Sequence, residues 1–139
     1  AGSDLARAAL ALRQNDRKTA LDIYKRIAAD DGMPQPYRDL ATVRGTMLEY
    51  DQLKPDEIIS RLSPLAAPGK PFFGTAGEMV ALATLAKGDR NAAGQMFARI
   101  AGDKQVPDSI RSRAVQFAGS LGVDASSALP AEPAANPAQ

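Results

Sequence analysis

An internal repeat constrains the fold of this chain more than any other feature of its sequence. Sliding the sequence by 73 positions aligns residues 8–50 with 81–123, and 13 of 43 aligned positions are then identical. The identical pairs include Asp16/Asp89, Ala20/Ala93, Ile27/Ile100, Pro34/Pro107, Arg38/Arg111 and Ala41/Ala114. Three prolines, at 34, 71 and 107, are spaced by 37 and 36 residues. Because proline favours the first turn of a helix, this spacing predicts an array of helical hairpins.

Apolar residues recur along the chain at the 3.6-residue period of helices. Together with the stop signals, this period predicts helices at about 3–14, 17–30, 35–50, 71–87, 90–101 and 107–121, and a short helix opening at Pro55. The helix at 35–50 is expected to face inward with Tyr37, Leu40, Ala41, Met47 and Leu48. No alternating run of β-branched residues indicates a strand. The expected fold is all-α: a right-handed α-solenoid of about three helical hairpins plus a C-terminal closing helix.

Alanine supplies 27 of the 139 residues. Since interaxial distance depends on the side chains at the contact, we expect alanines where helices cross. Residues 1–3 are interpreted as a linker remnant, 4–124 as the helical repeat domain, and 125–139, with three prolines and one charge, as a disordered Ala/Pro-rich tail. The chain starts with Ala1 rather than Met, which predicts processing or excision and leaves room for an N-terminal anchor upstream.

The residue types that are missing exclude most catalytic chemistry. The sequence has no histidine and no cysteine, and therefore no imidazole base or ligand, thiolate nucleophile, disulfide or iron–sulfur site. The pairs of acidic residues that are adjacent in the sequence lie at the ends of predicted helices, where carboxylates commonly act as caps. Net charge is +1, without the basic stripe of a nucleic-acid binder. We expect no enzymatic activity, no cofactor, no metal and no nucleic-acid partner.

The first and third units resemble the tetratricopeptide repeat. Both place a small residue, a turn acid, a second small residue and an aromatic where that motif has them: Ala8, Asp16, Ala20 and Tyr24, then Ala81, Asp89, Ala93 and Phe97. The tryptophan of the motif is absent, and the middle unit, at about 36–68, matches it poorly. A repeat array of this kind exposes a concave face lined by the first helix of each pair.

A second resemblance covers roughly residues 4–124. The runs LSPLAAPGKPF (62–72), LAKGD (85–89) and PDSIRSRA (107–114) are similar to the periplasmic domain of the YfgM-like family, bacterial tetratricopeptide-like proteins with one N-terminal membrane anchor. The resemblance implies an ancillary component of the Sec translocon on the periplasmic side of the inner membrane, with translocon subunits and periplasmic chaperones as partners. A cytoplasmic location is the alternative.

Five residues are candidates for contacting a protein partner: Arg38, Arg44, Phe72, Phe73 and Arg111. Arg38 and Arg111 recur at one repeat position, where they either pair with the neighbouring turn, through Asp30 or Asp103, or bind an acidic peptide group. Arg44 lies beside the apolar stripe of its helix, so its stem can cover the core while its head reaches water. Phe72 and Phe73 point to different sides of a helix, which leaves both core packing and partner contact open.

The expected function is that of a non-catalytic protein–protein interaction scaffold. It would bind protein or an unfolded polypeptide in its concave groove, and it would meet a membrane only through an anchor. Leu5 and Ala9 replace the Lys and Asn with which some tetratricopeptide proteins clamp a C-terminal carboxylate, so an apolar groove is expected. The four methionines, Met33, Met47, Met79 and Met96, are expected to fill gaps in the core. The alternative is a self-associating structural domain of another envelope or cytoplasmic assembly.

Overall fold

Seven α-helices build the part of the chain that the computed structural model describes, residues 2–128. They are α1 (Gly2–Arg13), α2 (Arg17–Ala29), α3 (Gln35–Glu49), α4 (Pro55–Leu62), α5 (Phe73–Ala86), α6 (Arg90–Ala101) and α7 (Asp108–Ser120). Short 3₁₀ helices follow α3, α4 and α7, at Tyr50–Gln52, Ser63–Leu65 and Ser126–Ala128. Residues 2–128 contain no strand, which confirms the all-α prediction. None of the helices in this range is long and apolar enough to span a bilayer.

The ordered domain is slightly longer at both ends than the predicted range of 4–124. Gly2 and Ser3 belong to α1 rather than to a linker remnant. Ala125 is 8% exposed and packs beside α6 and α7, and the 3₁₀ helix Ser126–Ala128 follows it. The predicted disordered tail therefore begins at least four residues too early, and the rest of it, 129–139, lies outside the described residues.

Buried side chains form three apolar clusters instead of one central core. The first surrounds Tyr24 and joins α1, α2 and α3. The second surrounds Leu62 and joins α3, α4 and α5, and the third surrounds Phe97 and joins α5, α6 and α7. Helices adjacent in the chain make most of the contacts, although α3 and α4 pack loosely against each other. Each helix is therefore held mainly by its neighbours in the sequence.

The 73-residue repeat has the same local structure in both copies. Asn15 and Gly88 occupy equivalent turns with positive φ, 59° and 93°, a conformation that Asn and Gly tolerate best. Asp16 and Asp89 then cap α2 and α6, each accepting a hydrogen bond from the backbone N–H three residues later, at 3.1 and 3.2 Å. The turn signals in the sequence therefore predict the boundaries of these helices correctly.

Small residues lie where the helices cross, as the alanine content predicts. Ala8, Ala20 and Ala93 are completely buried. Glycine allows an even closer approach in α5: a Cβ atom on Gly77 would lie 3.1 Å from Cδ1 of Ile100 in α6. Such contacts bring short helices close enough for their backbones to pack with little side-chain volume between them.

The predicted inward face of α3 is wrong in part. Tyr37 and Met47 were expected in the core, but they are 39% and 52% exposed. Ala41 is buried as predicted, and α3 also buries Val43, Gly45, Thr46 and Glu49, which the periodicity did not predict. The reason is the close approach of α2, which needs small side chains on α3 and leaves the larger ones on its free side.

Candidate functional site

A shallow groove of about 350 Å³ lies between α1 and α3. Its lining is almost entirely apolar, and comprises Ala9, Leu12, Tyr24, Arg44, Met47 and Leu48. Met47 is half exposed, whereas Tyr24 is 2% exposed. We call this surface the α1–α3 groove. It joins the first helices of two successive hairpins, which is where the sequence analysis expects a concave face.

A second groove, of about 290 Å³, lies along the other side of α3, against α2. Its lining is apolar along most of its length and charged at one end: Leu21, Tyr24, Lys25, Ala28, Ala29, Ala41, Thr42, Gly45, Thr46, Glu49 and Arg61. Gly45 is buried in this groove, and a Cβ atom there would lie 3.4 Å from Cβ of Tyr24. We call this surface the α2–α3 groove.

The charged end of the α2–α3 groove is an ion cluster around Glu49, whose side chain is 10% exposed. Nη1 of Arg61 lies 2.5 Å from Oε1 of Glu49, and Nζ of Lys25 lies 3.3 Å from Oε2. Burial raises the pKa of Glu49, but the hydrogen bonds from Arg61 and Lys25 outweigh it and lower that pKa below its usual value. Glu49 is therefore a carboxylate at neutral pH, linking α3 to α2 and α4.

Sequence analysis missed this cluster. Lys25, Glu49 and Arg61 belong to three different helices and are 24 and 12 residues apart. Residues so far apart in the sequence do not share a helix face or a turn, so no local pattern relates them. The one local signal was a charged residue, Glu49, that ends a helix rich in apolar residues.

Arg38 and Arg111, two of the predicted partner-binding residues, have the same structural role in the two units. The Nε–H of Arg38 donates to the carbonyl of Ala28 at 3.4 Å, and that of Arg111 donates to the carbonyl of Ala101 at 3.0 Å. Both carbonyls belong to the last turn of a helix and have no intrahelical partner. The guanidinium groups therefore hold the end of one helix against the start of the next.

The acids expected to pair with these arginines are different ones. Asp30 and Asp103 accept hydrogen bonds from the backbone two residues later, at 2.9 Å in both cases, and so stabilise their own turns. Arg38 pairs with Asp31 at 3.3 Å, and Arg111 lies 3.8 Å from Asp108. Arg111 is 6% exposed, so no open surface surrounds it, whereas Arg38 is half-buried.

The remaining predicted site residues divide between core and surface. Arg44 is exposed and lines the α1–α3 groove. Phe72 and Phe73 point to different sides, as expected, but both pack inward: Phe73 is 5% exposed in the third cluster and Phe72 packs against the second. Met47 corrects the expectation that all four methionines fill the core, since it is exposed, while Met79 is buried.

Comparison with family models, with curated proteins and with solved structures gives no match to this chain. Within residues 2–128, no three acidic side chains are arranged to hold a metal ion. The two grooves on either side of α3 differ in charge: the α1–α3 groove is apolar apart from Arg44, and the α2–α3 groove has a charged end.

Proposed function

We propose that the chain is a protein-interaction scaffold, a right-handed tetratricopeptide-like solenoid that binds unfolded or extended polypeptide in the α1–α3 groove. The observation that carries this proposal is the exposed side of α3, where Met47 is 52% exposed on an apolar groove and Tyr37, nearer the start of the helix, is 39% exposed. Exposed apolar surface in a groove, here that of Met47, is typical of interaction sites. The neighbour-to-neighbour packing and the recurrence of identical turns support the solenoid.

The chemistry of the groove favours low sequence selectivity. Met47 is unbranched and flexible, so it adapts to side chains of different shape. Arg44 at the same groove offers several N–H donors to the carbonyl groups of an extended chain. A ligand would therefore be recognised by apolar side chains and backbone together, as unfolded polypeptide requires.

The proposed setting rests on the resemblance to the YfgM-like family. It is the periplasmic side of a bacterial inner membrane, with an N-terminal anchor, beside the Sec translocon and periplasmic chaperones. The test is co-purification of the full-length protein with translocon subunits after detergent extraction of membranes. Recovery with those subunits supports the setting, and consistent absence from the membrane fraction contradicts it.

Binding itself is tested with two matched variants. Met47 and Leu10 are both 52% exposed, but only Met47 lines the α1–α3 groove. Fluorescence anisotropy with reduced, carboxymethylated α-lactalbumin as the labelled probe should show binding to the wild-type chain. Met47→Glu should weaken it about tenfold, because a charge is placed in an apolar contact. Leu10→Glu should leave it unchanged; equal losses in both variants, or no binding at all, contradict the proposal.

Self-association is the second candidate, and the exposure of Leu10 outside both grooves favours it. Light scattering over a concentration series distinguishes the two functions. A mass that rises with concentration and returns to the monomer value in Leu10→Glu supports self-association. A monomer at every concentration contradicts it.

A further inference from the structure

The eight residues that follow α7 cover a groove between α6 and α7. We call residues 121–128 the strap. Val123 lies over α6, where a Cβ atom on Gly94 would be 3.0 Å from its Cγ2, and its N–H donates to the carbonyl of Ala118 in α7 at 2.8 Å. Ala125 is buried in the same cluster. At the far end, the guanidinium of Arg111 donates to the carbonyl of Ala128.

The α2–α3 groove is the equivalent of this covered surface in the first unit. Ten of its eleven lining residues lie within the aligned segment 8–50. The 73-residue offset transfers eight of them to α6 and α7, Ala29 to Gly102 directly after α6, and Glu49 to Gly122 at the start of the strap. Leu21 corresponds to Gly94, on which Val123 packs, so a leucine side chain lies in the first unit where Gly94 leaves space for Val123. Gly45 corresponds to Ala118, to which the strap is hydrogen-bonded, and leaves the space of one methyl group on the other helix. In the first unit no described segment occupies this position, because the chain after α3 continues to α4 and packs against α5.

Arg111, which holds the strap, has its counterpart in Arg38 of the first unit. Arg38 uses its Nε–H as Arg111 does, on the last turn of the preceding helix. Its Nη2, the atom that in Arg111 holds the strap carbonyl, instead contacts Asp31 at 3.3 Å. The side chain of Asp31 is 97% exposed, so a carbonyl group can replace this contact at little cost.

We propose that the α2–α3 groove binds an extended segment of another polypeptide in the way that the strap covers the α6–α7 groove. The segment would carry small apolar residues with the spacing of Val123, Ala125 and Ala128, and would present a carbonyl group to Arg38. The charged end of the groove holds two cations and one anion, Lys25, Arg61 and Glu49, which favours an acidic residue there. This site does not depend on the α1–α3 groove, and either can fail alone.

The strap sequence itself is the probe. A peptide LGVDASSA, acetylated and amidated, is titrated into the ¹⁵N-labelled full chain and followed by NMR. Saturable shifts of the Gly45 amide are expected, and the same peptide carrying Val123→Asp should bind at least about tenfold more weakly. Arg38→Gln should also weaken binding about tenfold, through loss of a charged donor. Arg113→Gln is the control and should have no effect, because Arg113 pairs with Glu78 and lies in neither groove.

A second variant separates binding from folding. Ala29→Trp fills the groove from an exposed position at the end of α2, so the fold, checked by circular dichroism, is expected to persist while binding is lost. No saturable shift in the wild type overturns the proposal, as do shifts at the Gly94 amide alone, which would mean that the peptide displaces the strap.

The two remaining occupants are tested directly. The chain has no cysteine, so Gln139→Cys carries a single spin label. Broadening of the Gly45 amide in the labelled monomer would show that the chain's own residues 129–139 occupy the groove and would overturn the proposal. A concentration-dependent mass that Arg38→Gln abolishes would identify a second copy as the occupant, with the same consequence.

Discussion

Glu49 shows how one residue can connect three helices. Its carboxylate is almost enclosed and holds a cation from α2 and another from α4. The two bonds also explain why a charged group is stable where the rest of the groove is apolar: each oxygen has its own donor. Removing the carboxylate therefore removes two charged interactions and leaves both cations unpaired.

Glu49→Gln should lower the free energy of unfolding by about 1–2 kcal/mol at pH 7, less than for a fully buried pair because Lys25 is exposed. The pKa of folded Glu49 lies below the ordinary value of 4.5. The contribution of the Glu49 carboxylate to the free energy of unfolding is therefore complete above that value and is lost as the pH falls through the folded pKa. Urea unfolding at pH 7, 5 and 3 should show the difference between variant and wild type shrinking at the lowest pH.

Asp22→Asn, in an exposed pair with Lys18, is the control and should change stability by under about 0.5 kcal/mol. A difference that does not shrink between pH 7 and pH 3 would contradict the role of the charge.

The two repeated arginines should contribute differently to the stability of the fold. Arg111 is 6% exposed and donates to the ends of both α6 and the strap, whereas Arg38 has one such backbone contact. Arg111→Ala should lower the free energy of unfolding by about 2–4 kcal/mol, and Arg38→Ala by about 1 kcal/mol. Urea unfolding followed by circular dichroism measures both. Equal losses would mean that the strap contact contributes nothing.

At the scale of elements, the approach of α5 to the turn before α7 sets a strict size limit. A Cβ atom on Gly74 would lie 2.7 Å from Cγ1 of Val106. Val106 is 5% exposed and β-branched, so it cannot move aside easily. The glycine is required by this contact rather than by its backbone conformation.

Gly74→Ala should therefore destabilise the protein by about 1–3 kcal/mol, although alanine favours helices. Gly119 is the matched control, because it is helical, exposed and has open space around its Cβ direction. Gly119→Ala should stabilise by about 0.5–1 kcal/mol. Thermal unfolding of the two variants gives the sign directly, and a rise in Tm for Gly74→Ala would contradict the packing argument.

Local chemistry made the ends of the helices predictable, whereas tertiary packing decided their buried faces. Asp16 and Asp89 carry their capping role in the sequence, since a cap bonds within its own turn. The burial of Gly45 and the exposure of Met47 depend on how closely α2 approaches α3. That distance is set by both helices together, so periodicity in α3 alone favours the wrong side.

The strap illustrates the same limit for the C-terminal segment. Its composition is typical of a tail, and nothing local distinguishes Ala125 from the alanines that follow it. Its burial depends on a surface that exists only once α6 and α7 have packed together. The repeat, by contrast, is visible in the sequence and marks Arg38 and Arg111 as equivalent positions.

For the whole molecule, three neighbouring clusters replace a central core, and this arrangement leaves long surfaces between helices. Both sides of α3 border such a surface, with Arg44 and Met47 on one and Gly45 and Glu49 on the other. From the sequence, the α1–α3 groove could be predicted only because the first helix of each hairpin was expected to line a concave face. The exposure of its apolar side chains follows from the three-dimensional packing.

Binding of unfolded polypeptide in the α1–α3 groove is the function proposed for this chain. The most direct measurement uses the four methionine methyl groups as reporters, in a ¹³C-methyl-methionine chain titrated with reduced, carboxymethylated α-lactalbumin. Met47 lines the groove, whereas Met79 is buried in the second cluster. The Met47 methyl resonance should shift and saturate while that of Met79 stays in place. A titration in which Met47 does not move, or in which all four methyl groups shift together, would contradict the claim.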